Sequence, residues 1–289
     1  MKKFMFLFVM AAAIISCEKD DLTVESSDAT LKTKYTVSSE SALKSAISNA
    51  KAGDEIVISG TIYLTSTLQI LNSGSSSSKI NIHGTSATSM GVLDCRNVSG
   101  WGVKCNGSYW NFQYLDIRYS GDCGIVFQYG HDNYVNWCRF YGNGDSGLQI
   151  YNGSYNNWIQ NCWSWDNYDS GNGGENADGF ACKLSGGSGN VFYKCEASHN
   201  SDDGWDLYGQ PYTVKIYNCN AIYNGYGTDG DGNGFKLGSS GQYVSHYVRY
   251  CNSHDNLGCG YDGNGNTAPM YVDGSSGYNN GKGTWCRIY

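Results

Sequence analysis

The sequence predicts an all-β chain, a right-handed parallel β-helix with a short N-terminal capping helix. Three recurring columns predict it. Cys138, Cys162, Cys195, Cys219 and Cys251 stand 24, 33, 24 and 32 residues apart. Five residues after each comes asparagine: Asn143, Asn167, Asn200, Asn224 and Asn256. Ile125, Leu148, Phe180, Trp205, Phe235 and Tyr261 each follow a glycine, with Phe127, Ile150, Cys182, Leu207 and Leu237 two positions on. Between them lies a polar-leaning column: Val126, Gln149, Ala181, Asp206, Lys236 and Asp262. Alternation with period two marks strands with one face inward. A repeat of this length built of short strands marks a solenoid, whose stacked coils bury a core that one coil cannot.

Taken along the chain, Lys2 and Lys3 precede an apolar stretch, Phe4 to Ile15, so residues 1–16 read as a signal peptide too short to span a membrane. Ile14-Ile15-Ser16-Cys17 resembles a bacterial lipoprotein cleavage box, which implies Cys17 as the lipidated first residue. Glu18, Asp20 and Asp21 then resemble a surface-export signal of Bacteroidota-type lipoproteins. Residues 17–33 read as a flexible tether. Ser39 to Ala50 reads as one helix, capped by Ser38 or Ser39, with Leu43, Ile47 and Ala50 on its apolar stripe. It would cover the open edge of the first coil. Residues 34–289 form one domain, and the glycine-rich, proline-poor composition (39 and 2) suits tight turns between backbone-paired strands.

The asparagine column suits corners that need a left-handed residue, and stacked amides can bond into a ladder. Eleven cysteines remain once Cys17 is set aside. Five of them share one column, which reads as a buried stack of free thiols. Cys123 and Cys259 share another column but lie too many coils apart to pair with each other. Nothing resembles a zinc ribbon.

Loss of Lys2 and Lys3 with the leader takes the formal charge from -7 to -9. That excludes nucleic acid as the expected partner. An acidic polysaccharide remains possible if cations bridge the two. The 24 tyrosines and 8 tryptophans suit a sugar groove, although Trp205 and Phe235 read as interior. A monomer is expected, touching a membrane only through its lipid anchor.

The chemistry concentrates in three segments: Asn176-Ala177-Asp178-Gly179-Phe180, Ser201-Asp202-Asp203-Gly204-Trp205-Asp206 and Gly232-Asn233-Gly234-Phe235-Lys236-Leu237. Stacking puts Asp178 one coil from Asp203, with Asp202 and Asp206 on the latter's coil. Four crowded carboxylates require protons or a cation. Calcium, with six to eight oxygen ligands, fits better than magnesium or zinc. A purely structural calcium, or a solvated acidic face, are the plainer alternatives. Lys236 follows Asp206 in the outward column. Near calcium and partly desolvated, it could have a lowered pKa and act as a base. Otherwise it is a surface ion pair. Lys183 could bind a substrate carboxylate, and Tyr208 and Arg249 are weaker groove candidates. With calcium on the carboxylate of a uronic acid, Lys236 would take the C5 proton and the C4 oxygen would leave by β-elimination. Hydrolysis, needing an acid and a second carboxylate, stays open.

The run from Glu175 to Ala181, the run from Ser201 to Tyr208 and the run from Gly230 to Gly238 resemble those of the family 9 polysaccharide lyases, which are pectate-lyase-like β-helices. The resemblance covers about residues 175–240. It implies calcium on Asp178, Asp202, Asp203 and Asp206, Lys236 as base, and a pectin backbone such as polygalacturonate as substrate. Rhamnogalacturonan or another uronide, and a non-catalytic polysaccharide-binding β-helix, are the alternatives.

Overall fold

A computed structural model of the chain describes residues 22–25 and 32–289. A full coil lays down three short strands, such as Tyr134–Asn136, Arg139–Tyr141 and Leu148–Tyr151. Corresponding strands of successive coils form three sheets of ten, nine and nine strands. The register is the one that the columns predict: Ile125, Leu148, Phe180, Trp205, Phe235 and Tyr261 pair in that order and point inward. Because parallel strands repeat at about 4.8 Å, identical positions come to van der Waals distance. The rings of Phe180, Trp205, Phe235 and Tyr261 accordingly stack with centroids 5.1, 4.8 and 5.0 Å apart. The core is this axial stack of apolar side chains running the length of the solenoid.

The asparagines form the predicted ladder. Each Nδ2 from Asn143 through Asn256 donates to the next Oδ1, the last to Asn280, at 2.8–2.9 Å. They are not, however, the left-handed residues. That backbone belongs to the position before each: Gly142, Asp166, His199, Tyr223 and Asp255 have positive φ. The corner turns one residue early, so the amide points into the core, where its Oδ1 also accepts a backbone N–H from the preceding coil's asparagine. A second column does the same at another corner. Asn133, Asn157 and Asn190 each accept from the backbone of the coil before, and His246 accepts from Val214 in that column.

The five column cysteines are buried and free, as are Cys95, Cys105, Cys123 and Cys182. Burial pushes the Cys182 thiol up to about 12, so it is chemically quiet at neutral pH. Cys259 departs from that pattern by bonding to Cys286, 27 residues on. The final strand lies directly on the coil of Cys259, with Cys259 facing Gly283 and Asp262 facing Cys286. The two thiols meet across adjacent coils at the solenoid's open end.

The helix spans Glu40–Asn49, with Ser39 Oγ accepting from the N–H of Ala42 at 3.3 Å. Its buried face, Ala42, Leu43, Ala46 and Ile47, closes the first coils. Ahead of it, the expected tether is not uniform coil. Leu22–Glu25 pairs antiparallel with Lys34–Val37. Its alternating Leu-Thr-Val-Glu pattern has the strand propensity that a tether lacks. The expected signal peptide and Cys17 lie outside the described residues. No helix among the described residues is long and apolar enough to cross a membrane.

Candidate active site

Of the coils aligned on the column cysteines, two are longer than their neighbours, at 33 and 32 residues against 24, and their extra residues make one wall of the site. The additional segments, near 168–176 and 225–232, leave the same corner two coils apart and meet over the coil between them. Asp229 N donates to Gly173 O at 3.2 Å, Gly227 N to Ser201 O at 2.9 Å, and the rings of Tyr168 and Tyr226 stack at 5.7 Å. Beneath them the glycine column brings successive coils into backbone contact. A Cβ on Gly204 would stand 2.5 Å from the carbonyl oxygen of Gly234. The acidic residues before these glycines are therefore held against one another.

Asp178, Asp202 and Asp203 each direct a carboxylate oxygen to one place, with these oxygens within 4.8 Å of one another. The loops fix them by backbone donation. Asp202 accepts from Asp231 N at 2.6 Å and from Asn176 N at 3.1 Å. Asp203 Oδ1 accepts from Asn233 N at 2.6 Å, and Asp178 Oδ1 from Asp203 N at 3.3 Å. Asp206 stands three residues after Asp203 and accepts from Tyr208 N at 2.8 Å. Its strand neighbour is Lys236, as the column predicts.

Two ammoniums serve these four buried carboxylates. Lys183 Nζ donates to Asp178 Oδ2 at 2.7 Å and lies 3.1 Å from Asp206 Oδ2. Lys236 Nζ lies 3.2 Å from Asp203 Oδ2 and 2.8 Å from Asp231 Oδ2. The contact to Asp203 lies off the hydrogen-bonding direction, so buried Asp203 Oδ2 has no hydrogen-bond partner. An orphaned carboxylate oxygen facing two other carboxylates, all hard oxygen donors, fits a calcium ion. Burial pushes the Asp178 and Asp203 carboxyls well above the usual range, and neighbouring carboxylates add to it. Asp202 is raised too, mainly by burial.

The lowered pKa expected of Lys236 is conditional on calcium beside it, and in the cation-free protein the balance runs the other way. Burial acts to lower it, but the charges of Asp203, Asp206 and Asp202 and the bond to Asp231 outweigh that effect, holding the ammonium above the ordinary lysine range. With the carboxylates bare, Lys236 is a protonated cation.

A cleft of about 290 Å³ opens over this floor, lined by Glu175, Asn176, Lys183, Leu184, Asp202, Asp206, Tyr208 and Lys236. Tyr208 is thus on the cleft, and Lys183 is in its floor among the carboxylates. Arg249 is elsewhere. It belongs to Tyr247–Arg249 in the ten-stranded sheet, paired with Asp273 at 2.8 Å and packed on the rings of Tyr247 and Tyr271. Period two tells inward from outward but does not say which of three outer faces carries the site. Asp231, the carboxylate on Lys236, lies in the Gly230–Gly238 run without being singled out by the repeat, and its signal is the extra length of its coil.

Residues 23–287 match the family model described as Pel9A-like, right-handed β-helix region. A protein named pectate lyase L from Thermoclostridium stercorarium is 36% identical over 266 residues, covering 83% of this chain but 21% of that protein. The crystal structure of pectate lyase Pel9A superposes with a TM-score of 0.77 at 31% identity, over 82% of this chain and 64% of that one. A structure titled rhamnogalacturonan lyase gives 0.69 at 25%, over 80% and 67%. The chain therefore spans about a fifth of the first relative and under two thirds of Pel9A.

Proposed function

The chain belongs to the Pel9A-like right-handed β-helix family, and from that membership we propose that it is a calcium-dependent polysaccharide lyase acting on polygalacturonate, with Lys236 as the base. The observation that carries the reading is Lys236 Nζ at the floor of the cleft, 3.2 Å from an orphaned Asp203 oxygen in a three-carboxylate cluster. A binding module has use for the carboxylates or the cleft but none for a base in that column.

Asp178, Asp202, Asp203 and Asp206 would hold the ion. Calcium bound there supplies positive charge against the uronate carboxylate and offsets the negative field that otherwise keeps Lys236 protonated. Asp231 and Asp203 fix the direction of the Lys236 side chain toward the cleft. Neutral Lys236 takes the C5 proton of the bound uronate. The electron pair of the C5–H bond forms the C4–C5 double bond, and the C4–O bond breaks to release the leaving chain. No water is consumed. Tyr208, about half exposed on the cleft wall, offers its ring to a sugar face.

A rhamnogalacturonan backbone is the second reading, favoured by the likeness to the rhamnogalacturonan lyase structure. The deciding experiment is ultraviolet absorbance on polygalacturonate and on rhamnogalacturonan, each with calcium and with chelator. A calcium-dependent rise on one polymer establishes the lyase and its substrate, because only an unsaturated uronide conjugated to its carboxyl absorbs there. No rise on either, with calcium still bound, moves the assignment to a binding module. The same proposal places the protein on the bacterial outer surface, anchored through lipidated Cys17. Retention of a Cys17→Ala variant in the membrane fraction would refute that anchor.

A further inference from the structure

We propose that Lys183 is a built-in counter-ion of the acidic cluster, and that a divalent cation entering the cluster exchanges with its ammonium. The inference rests on the calcium reading above and goes beyond it by giving this lysine a role in the cation-free protein.

Lysine is almost never buried unless paired. Lys183 is 7% exposed and forms ion pairs with two of the four carboxylates, Asp178 at 2.7 Å and Asp206 at 3.1 Å. These belong to adjacent coils, whose strands meet where Ala181 faces Asp206. Its ammonium thus bridges coils at the place where two carboxylates would otherwise repel. The bridge stops short of the whole cluster, because Asp203 Oδ2 remains without a hydrogen bond.

A calcium ion sits about 2.3–2.6 Å from its oxygen ligands. Taking Asp178 Oδ2 or Asp206 Oδ2 as ligands would bring it within roughly 5 Å of the Lys183 ammonium, where like charges in a partly dry site repel strongly. The two cations therefore compete for the same oxygens. Lys183 has an exit on its flexible four-carbon stem. It lines the cleft together with Leu184, Tyr208 and Lys236, and so can swing outward. Exchange would keep the coils bridged at every stage and leave a positive charge on the cleft wall once calcium is bound.

The test is calorimetric titration of the purified protein with calcium chloride, wild type against Lys183→Met, which keeps the length of the stem and removes the charge. The variant is expected to bind calcium at least tenfold more tightly. Its melting temperature in chelator should fall below that of wild type, and the two should converge at saturating calcium. Equal or weaker calcium binding by the variant overturns the inference while leaving the calcium reading intact. No calcium uptake by wild type and variant alike overturns both. Should the variant fail to fold, amine acylation of the wild type read by peptide mass spectrometry serves instead. Lys183 should be protected in chelator and modified in calcium, and equal modification overturns the exchange.

Discussion

The carboxylate of Asp231 lies 2.8 Å from Lys236 Nζ, and the N–H of the same residue lies 2.6 Å from Asp202 Oδ1. One residue of an irregular loop therefore fixes both the amine and one member of the acidic cluster. Asp231→Ala should lower kcat severalfold to about tenfold, since the lost ion pair is half exposed and worth little by itself. KM should change less. Steady-state kinetics on polygalacturonate check this, and a kcat equal to wild type would show that Asp203 alone positions the lysine.

Lys236→Ala should remove elimination almost entirely, as loss of a general base costs about 10²- to 10⁴-fold. Lys236→Arg should be comparably impaired, because a guanidinium does not give up its proton. Calcium binding and the thermal transition should persist in both. The measurement is the rate of ultraviolet absorbance increase, alongside calcium titration of the same samples. A near-normal rate in either variant removes Lys236 from the chemistry.

Asp203→Ala should weaken calcium binding, because the orphaned Oδ2 is the oxygen best placed to accept a cation. In chelator the same substitution relieves crowding: Asp203 is pushed upward by burial and by Asp202, and it sits near Asp178 and Asp206 as well. Calorimetric titration should therefore show a weaker calcium complex without a matching loss of stability in chelator. An unchanged titration would exclude Asp203 as a ligand.

What the sequence made legible is what a stacked coil repeats. Phe180, Trp205 and Phe235 could be aligned because parallel strands place identical positions above one another, and the asparagine ladder followed from the same arithmetic. Asp178, Asp203 and Lys236 were legible as neighbours for that reason. Features that do not repeat were hidden. Asp231 sits in an insertion that most coils lack at that corner. Cys286 meets Cys259 only through the register of the last strand. Arg249 was misplaced because its alternation points outward on the wrong sheet. The second column, Asn133, Asn157 and Asn190, stands five residues before Cys138, Cys162 and Cys195. Val214 and His246 interrupt it, which hid the pattern.

The ladder itself makes a stability prediction. Asn224 is 1% exposed, donates to Asn256 Oδ1 at 2.9 Å and accepts from the side chain of Asn200 at 2.9 Å and its backbone at 3.1 Å. Asn224→Ala strands buried donors and an acceptor on two coils. Each such group costs about 1–3 kcal/mol, so the variant should lose about 3 kcal/mol in denaturant unfolding. A loss well under 1 kcal/mol would mean that water enters the column and replaces the amide.

His246 carries the last prediction, because it fills an asparagine slot with a group that titrates. Its Nδ1 accepts the N–H of Val214 at 3.1 Å, and Nε2 is buried without a partner. Accepting at Nδ1 leaves a neutral ring with its proton on Nε2. Burial lowers its pKa from 6.5 to about 4. In the unfolded chain the same ring protonates near the ordinary value, so below about pH 6.5 the unfolded state binds the extra proton and is favoured. The stability this histidine permits is intact above that pH and is lost as pH falls toward 4. A displacement of this size corresponds to about 3 kcal/mol by the linkage relation. His246→Asn offers the same acceptor to Val214, as Asn157 does to Asn133, without a titrating ring. The difference between wild type and His246→Asn, followed by unfolding at intervals from pH 7.5 to pH 4, isolates this group from the acidic cluster, which both proteins share. The wild type should lose stability relative to the variant across that window. A constant difference would place His246 in contact with water and remove it as an acid-sensitive point of the solenoid.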